Sequence, residues 1–346
     1  MTATLYEPTE AVRLLVTQLV PEPALQRLRE ALPEGSVIDV NAERDRIWTR
    51  HELIERLRAG RYNALYCMLT NTIDAEVMDA APALKIIANM AVGYNNIDVA
   101  EATRRGIVVT NTPGVLTDTT ADFAWALLLA VARRVVEADR FVREGRFTGW
   151  GPMLMLGQDV HGKTLGIIGF GRIGRAVAKR ATGFDMQVMY YDRVPADRKT
   201  ERQLKARSVS LDELLAQSDY VSIHTDYNPQ THHLIGAPQL ARMKRTAYLI
   251  NTARGPIVDE AALVEALRAG QIAGAALDVF EHEPQVHPGL LDLPNVVLAP
   301  HIASASLDTR TAMALMAADN IIAVMRGERP PNLVNPQVYE QTPPGA

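Results

Sequence analysis

Short runs of apolar residues alternate with amphipathic stretches along the chain, and the two periods predict its elements. Runs at Arg13–Thr17, Val37–Asn41, Ala64–Met68, Ile86–Asn89 and Val108–Asn111 read as strands. Between them, segments such as His51–Arg58 place Leu53, Ile54 and Leu57 on one helical face. A second series begins near residue 163, with strands at Thr164–Gly169, Gln187–Tyr191, Tyr220–His224, Ala247–Asn251, Ala275–Val279 and Val296–Ala299. Most of these runs are nearly continuous in apolar residues, the pattern of strands covered on both faces. The alternation therefore predicts an α/β protein of two doubly wound parallel-sheet domains.

Between the two series, Thr119–Glu144 predicts one long helix, entered through Thr117–Thr120 and ended by Gly145. Ser304–Arg326 predicts another, stopped by Gly327–Pro331. The closing residues Gln341–Ala346 read as a loose tail.

A chain of 346 residues, 47% hydrophobic and 22% charged, is long enough for two domains with separate cores. Its net charge of -4 provides no basic footprint, so no nucleic-acid partner is expected. Cys67 is the one cysteine and sits in an apolar run, which predicts a buried thiol and excludes a disulfide within the chain. The longest apolar run, Phe123–Ala132, is too short to span a bilayer, and Met1–Glu10 lacks the pattern of a secretory signal. A cytoplasmic protein with no membrane partner is expected. His232 and His233, being adjacent, should point in different directions, and no ligand spacing surrounds them or His224, so no metal is expected.

Two sets of residues carry chemistry. Gly169-Phe170-Gly171-Arg172-Ile173-Gly174 follows an apolar strand and opens a helical pattern, the context a dinucleotide turn requires. Gly169 permits the turn, Gly171 admits the pyrophosphate, and Gly174 lets helix and strand pack closely, with helix-start amides on the phosphates. Asp192 ends the next strand, about 20 residues on, where a carboxylate bonds the ribose hydroxyl and repels a 2′-phosphate, favouring NAD. Arg193 leaves NADP open.

The second set lies in Asn251–Gly255, Asp278–Pro284 and Pro300–Ser304, each at the end of a predicted strand, where open α/β sheets bind ligands. A 2-oxo acid suits the planar fork of Arg254, and its forming hydroxyl needs a proton donor, assigned to His301. Glu283 would orient the imidazole and stabilise its charged form. Singly, these residues read more readily as a cap or a surface ion pair; together they point to chemistry. Asp278 reads either as a partner for the nicotinamide carboxamide or as a cap for the turn after its strand.

In this setting the chain resembles the D-isomer-specific 2-hydroxyacid dehydrogenase family, and within it the glyoxylate/hydroxypyruvate reductases. The resemblance is carried by Met90–Asp98 (MAVGYNNID), His161–Gly166 leading into the glycine motif, Asn251–Asp259 (NTARGPIVD), Ala276–Pro284 (ALDVFEHEP), Pro300–Ile302 and Asn332–Asn335. It implies hydride transfer from NADH to a small 2-oxo acid, with Arg254 orienting the substrate, Glu283 pairing with the acid/base His301, and the amides of Val92 and Gly93 binding the substrate carboxylate. Cofactor contacts are implied at Thr252, Ala253, Asp278, His301 and Ala303, the last standing where the family usually has glycine.

The same resemblance implies a flavodoxin-like substrate domain of residues 1–111 and 302–336, a Rossmann domain of 112–301, a tail of 337–346, and a homodimer built through the nucleotide domain. Trp150 resembles the tryptophan that glyoxylate reductases lend to a neighbouring subunit; its plainer reading is an interface aromatic. Glu283 argues against a formate dehydrogenase. A phosphoglycerate or phosphite dehydrogenase, for which Lys85 and Arg104 are candidate extra cations, and a non-catalytic NADH-sensing protein remain alternatives.

Overall fold

The computed structural model describes residues 11–44 and 46–340, so Met1–Glu10 and the closing segment Gln341–Ala346 lie outside the described residues. The chain divides into two compact units, Met1–Leu116 with Ser306–Ala346, and Thr117–Ala305. The divisions fall at the starts of two helices, four to five residues beyond the sequence-derived limits.

The first unit holds β1 (Arg13–Val16), β2 (Val37–Val40), β3 (Ala64–Cys67), β4 (Ile86–Asn89) and β5 (Val108–Thr110), in the all-parallel order β2-β1-β3-β4-β5. This is the flavodoxin-like order. Alternate side chains serve opposite faces. Leu14, Val16, Tyr66 and Ala88 pack with Leu25, Leu28 and the helix Leu307–Met325, whereas Leu15, Leu65, Cys67 and Ile87 pack with Leu53, Leu57 and Met78. Residues far along the chain thus complete a core that its beginning cannot build alone.

The second unit holds β6 (Thr164–Ile168), β7 (Gln187–Tyr191), β8 (Ala206–Ser208), β9 (Tyr220–Ile223), β10 (Tyr248–Asn251), β11 (Gly274–Leu277) and β12 (Val296–Leu298). Their all-parallel order, β12-β11-β10-β9-β6-β7-β8, extends the Rossmann order by one strand. The sheet reverses direction of growth between β6 and β9, the position beyond which open α/β sheets generally bind ligands. Among the described residues, no helix is long and apolar enough to cross a membrane.

Four expectations need correction. The helix expected over Thr119–Glu144 is two helices, Thr117–Ala132 and Val135–Arg143, because Arg134 turns into the left-handed region at φ 55°. Its guanidinium is held there by both oxygens of Glu137, at 2.6 and 2.9 Å. β8 was absent from the apolar pattern because it is three residues long and buries only Ala206. The last long helix starts at Leu307, capped by Ser306, rather than at Ser304. Finally, residues 337–340 are not a tail. Pro336–Tyr339 forms a 3-10 turn whose Val338 is fully buried in the first core, a burial worth about 1.5–3 kcal/mol.

Candidate active site

The glycine turn follows β6 and leads into the helix Arg172–Ala181, whose N-cap is Gly171. Gly169 takes φ 92°, and a Cβ there would meet the backbone of His224 and Thr225 at 2.5–2.7 Å, so the turn is pressed onto the end of β9. At Gly174 a Cβ would strike the carbonyl oxygen of Gly169, which explains the close helix–strand approach. Gly171 differs: nothing in the protein lies within 4 Å of the position its Cβ would take. Phe170 turns its ring inward to stack on Tyr190, with centroids 3.9 Å apart.

Asp192, just beyond β7, reaches back to this turn. Its Oδ2 accepts the Phe170 N–H at 2.7 Å and its Oδ1 accepts the Val194 N–H at 3.2 Å. The carboxylate is therefore held at the mouth of the turn, while the exposed Arg193 beside it makes no hydrogen bond or ion pair among the described residues.

β10, β11 and β12 are neighbours in the sheet, so the loops leaving their carboxyl ends come together although the sequence separates them. From β10 comes Arg254, with Asn251 folding the turn: its Nδ2 donates to the Arg254 carbonyl and its Oδ1 accepts the Ala253 N–H, both at 3.0 Å. Gly255 lies so close to the Phe280–Glu281 backbone that no side chain fits, which docks the arginine loop on the next one. Burial pushes the Arg254 guanidinium below the usual arginine value, opposed by the carboxylates of Glu283 and Asp226.

Glu283 Oε2 lies 2.8 Å from His301 Nδ1, and Glu283 Oε1 accepts the Phe280 N–H at 3.0 Å. Burial by itself raises a carboxyl pKa, but the bond to His301, its charge, the Phe280 amide and Arg254 outweigh it and hold Glu283 below its ordinary value. His301 occupies the left-handed region at φ 55°. What keeps it there is Asp278. Its carbonyl accepts the His301 N–H at 2.8 Å, and its fully buried carboxylate accepts the amides of Ile302 and Ala303 at 2.7 and 2.8 Å. Of the two readings of Asp278, the turn cap is the one visible in the geometry. Burial raises its pKa despite those two amides.

Several contacts were not foreseen. His232 and His233 do not diverge. Their rings stack, 4.0 Å between centroids, because His233 takes φ 50°. His233 Nε2 lies 2.6 Å from Glu281 Oε1, and the main-chain N–H of Glu281 donates to Glu260 at 2.7 Å. A second histidine–carboxylate pair thus anchors the loop that bears Glu283. Asp226, near the carboxyl end of β9, could have been flagged by the strand-end rule alone. His224 is half-buried beside Ser222, at 2.8 Å, and burial drives its pKa down to about 3.

In the first unit, Val92 and Gly93 lie in the loop after β4. In the second, Trp150 is 85% exposed. Cys67 is buried and its thiol is pushed up to about 12.

A dinucleotide fits the residues present. No protein atom crowds the position of a Cβ at Gly171, the Asp192 carboxylate is held against the turn by the Phe170 N–H, and the hydroxyl of Thr252, buried beside Arg254, has no hydrogen-bond partner. A Rossmann unit with this turn and an Arg–Glu–His set beyond three adjacent strands defines a nicotinamide-dependent dehydrogenase.

Residues 125–303 match the D-isomer specific 2-hydroxyacid dehydrogenase, NAD binding domain. The chain is 55% identical to a glyoxylate reductase of Korarchaeum cryptofilum, over 96% of this chain and 98% of that one. Among solved structures, a Thermus thermophilus protein superposes with a TM-score of 0.86 at 48% identity, covering 93% of this chain and 99% of that one. An NADPH-dependent glyoxylate/hydroxypyruvate reductase from Sinorhizobium meliloti superposes with a TM-score of 0.79 at 36% identity, covering 93% and 97%. The chain belongs to the D-isomer specific 2-hydroxyacid dehydrogenase family and uses NAD(P).

Proposed function

We propose that this protein reduces a small 2-oxo acid, glyoxylate or hydroxypyruvate, to the D-2-hydroxy acid with NADH. The observation that carries this reading is the His301–Glu283 pair at 2.8 Å, set beyond the same sheet end as Arg254. The glyoxylate reductase relatives support the substrate class.

Bound at the glycine turn, with Thr252, Ala253, Asp278 and Ala303 as further contacts, the reduced nicotinamide supplies the hydrogen and electron pair that the carbonyl carbon accepts. Arg254 directs its planar fork to the substrate oxygens and stabilises the negative charge that develops on the carbonyl oxygen. His301, in its charged form, gives that oxygen its proton. With Nδ1 committed to Glu283, Nε2 is the nitrogen that acts. Glu283 fixes the ring through its contact with Nδ1. The amides of Val92 and Gly93 take the substrate carboxylate. Asp192 selects NADH by repelling a 2′-phosphate, with Arg193 as the opposing influence.

The reading includes a cytoplasmic location and a homodimer. Trp150, Phe147 and the half-exposed Val135 and Val142 of a helix with no buried residue support an interface on the second unit.

The test is the initial rate of NADH and of NADPH oxidation with glyoxylate, hydroxypyruvate and pyruvate. Fast turnover of either of the first two acids is expected, with NADH preferred. Tight NADH binding without turnover of any of them would replace this reading with that of an NADH-sensing binding protein.

A further inference from the structure

A carboxylate hook made of backbone amides works only if the peptide planes that carry them are fixed. In a planar trans peptide the N–H of one residue points opposite the C=O of the residue before it, so whatever holds that carbonyl aims the amide. The N–H of Val92 is set by the carbonyl of Ala91, and the N–H of Gly93 by the carbonyl of Val92. Both carbonyls have partners in the short segment after β5. The main-chain N–H of Thr112 donates to the Ala91 carbonyl at 2.9 Å, and the side-chain Nδ2 of Asn111 donates to the Val92 carbonyl at 2.8 Å.

Asn111 is itself held from two sides. Its N–H donates to the Asn332 carbonyl at 3.3 Å, and its carbonyl accepts Nδ2 of Asn320, a fully buried residue of the helix Leu307–Met325, at 3.4 Å. Asn320 Oδ1 also accepts the Asn332 N–H at 3.1 Å. The fully buried Asn89 closes the other side of the loop by donating to the Gly93 carbonyl at 2.9 Å. That carbonyl, however, shares its plane with the N–H of Tyr94 and aims neither hook. The two hooks therefore differ in what secures them: Val92 by main chain, Gly93 by one side chain.

We propose that Asn111 is a positioning residue for the substrate carboxylate, aiming the Gly93 amide through its bond to the Val92 carbonyl. The proposal rests on the reading that the Val92 and Gly93 amides bind that carboxylate. Asn111 touches no substrate in this scheme; it acts through the peptide plane. Losing it frees one amide to rotate while its neighbour stays in place.

The experiment uses the full chain saturated with NAD, labelled with ¹⁵N at glycine and valine, and titrated with oxalate as a carboxylate probe. In the wild type both the Val92 and Gly93 amide signals shift. In Asn111→Leu the Gly93 signal loses its response while Val92 keeps it. Oxalate Kd and glyoxylate KM rise about tenfold, the loss of one hydrogen bond to a charged group, with NADH affinity unchanged. Asn111→Ser, whose short hydroxyl cannot span to the carbonyl, gives the same result if the leucine variant does not fold. A folded variant whose Gly93 amide still answers oxalate like the wild type overturns the role of Asn111 alone. A wild type in which neither amide responds, although NAD binds, overturns the carboxylate-hook reading and this inference with it.

Discussion

His301 and Glu283 meet at 2.8 Å with both partners tied to main chain, the histidine N–H to the Asp278 carbonyl and the glutamate to the Phe280 amide. The pair is thus set before substrate arrives, and no side-chain rearrangement is needed to form it. His301→Ala should lower kcat by about 10²–10⁴, the usual worth of a positioned acid, while NADH affinity stays near that of the wild type. Loss of NADH binding in step with activity would make His301 a structural residue instead.

Glu283 also has a stability signature. Its folded pKa is held below the ordinary value, so its contribution is present above the unfolded pKa, about 4.3, and is lost as pH falls through the folded one. Denaturant titrations of Glu283→Gln should therefore show a flatter stability profile than the wild type below about pH 4.5. Identical acid limbs would count against the carboxylate's role.

His224 predicts a loss in the same direction at milder pH. Half-buried against Ser222, it binds its proton far less readily when folded than when unfolded, so stability falls as pH drops from about 6.5 towards 3. Between pH 7 and 5 this contributes a loss of up to about 2 kcal/mol. His224→Asn should remove most of that slope, measured by urea unfolding at the two pH values.

Gly171 and Gly174 separate ligand binding from folding. A methyl at Gly171 meets no protein atom, so Gly171→Ala should melt like the wild type while raising NADH Kd at least about tenfold. A methyl at Gly174 strikes the Gly169 carbonyl, so Gly174→Ala should lose about 1–3 kcal/mol of stability. Thermal melts alongside fluorescence titration with NADH decide both.

Eleven of the strands, the glycine turn, Asp192, Arg254, Glu283 and His301 were legible in the sequence because each is written in a local pattern: an apolar run, a spacing of glycines, or a polar residue at a strand end. The break at Arg134 was not, since the apolar period runs through it and no glycine or proline marks it; the bond to Glu137 holds it. β8 was too short to carry a period. The burial of Val338, the capping of the His301 loop by Asp278, the His233–Glu281 pair and the hold of Asn111 on Val92 all depend on partners brought close by strand order. Asn335, whose side chain accepts the Val109 amide 226 positions away, shows the scale of that separation. Local periodicity determined which segments became strands and which polar residues stood at their ends. Only the tertiary structure decided which hydrogen-bonding groups met, because a buried donor must find its acceptor wherever the folded chain places one.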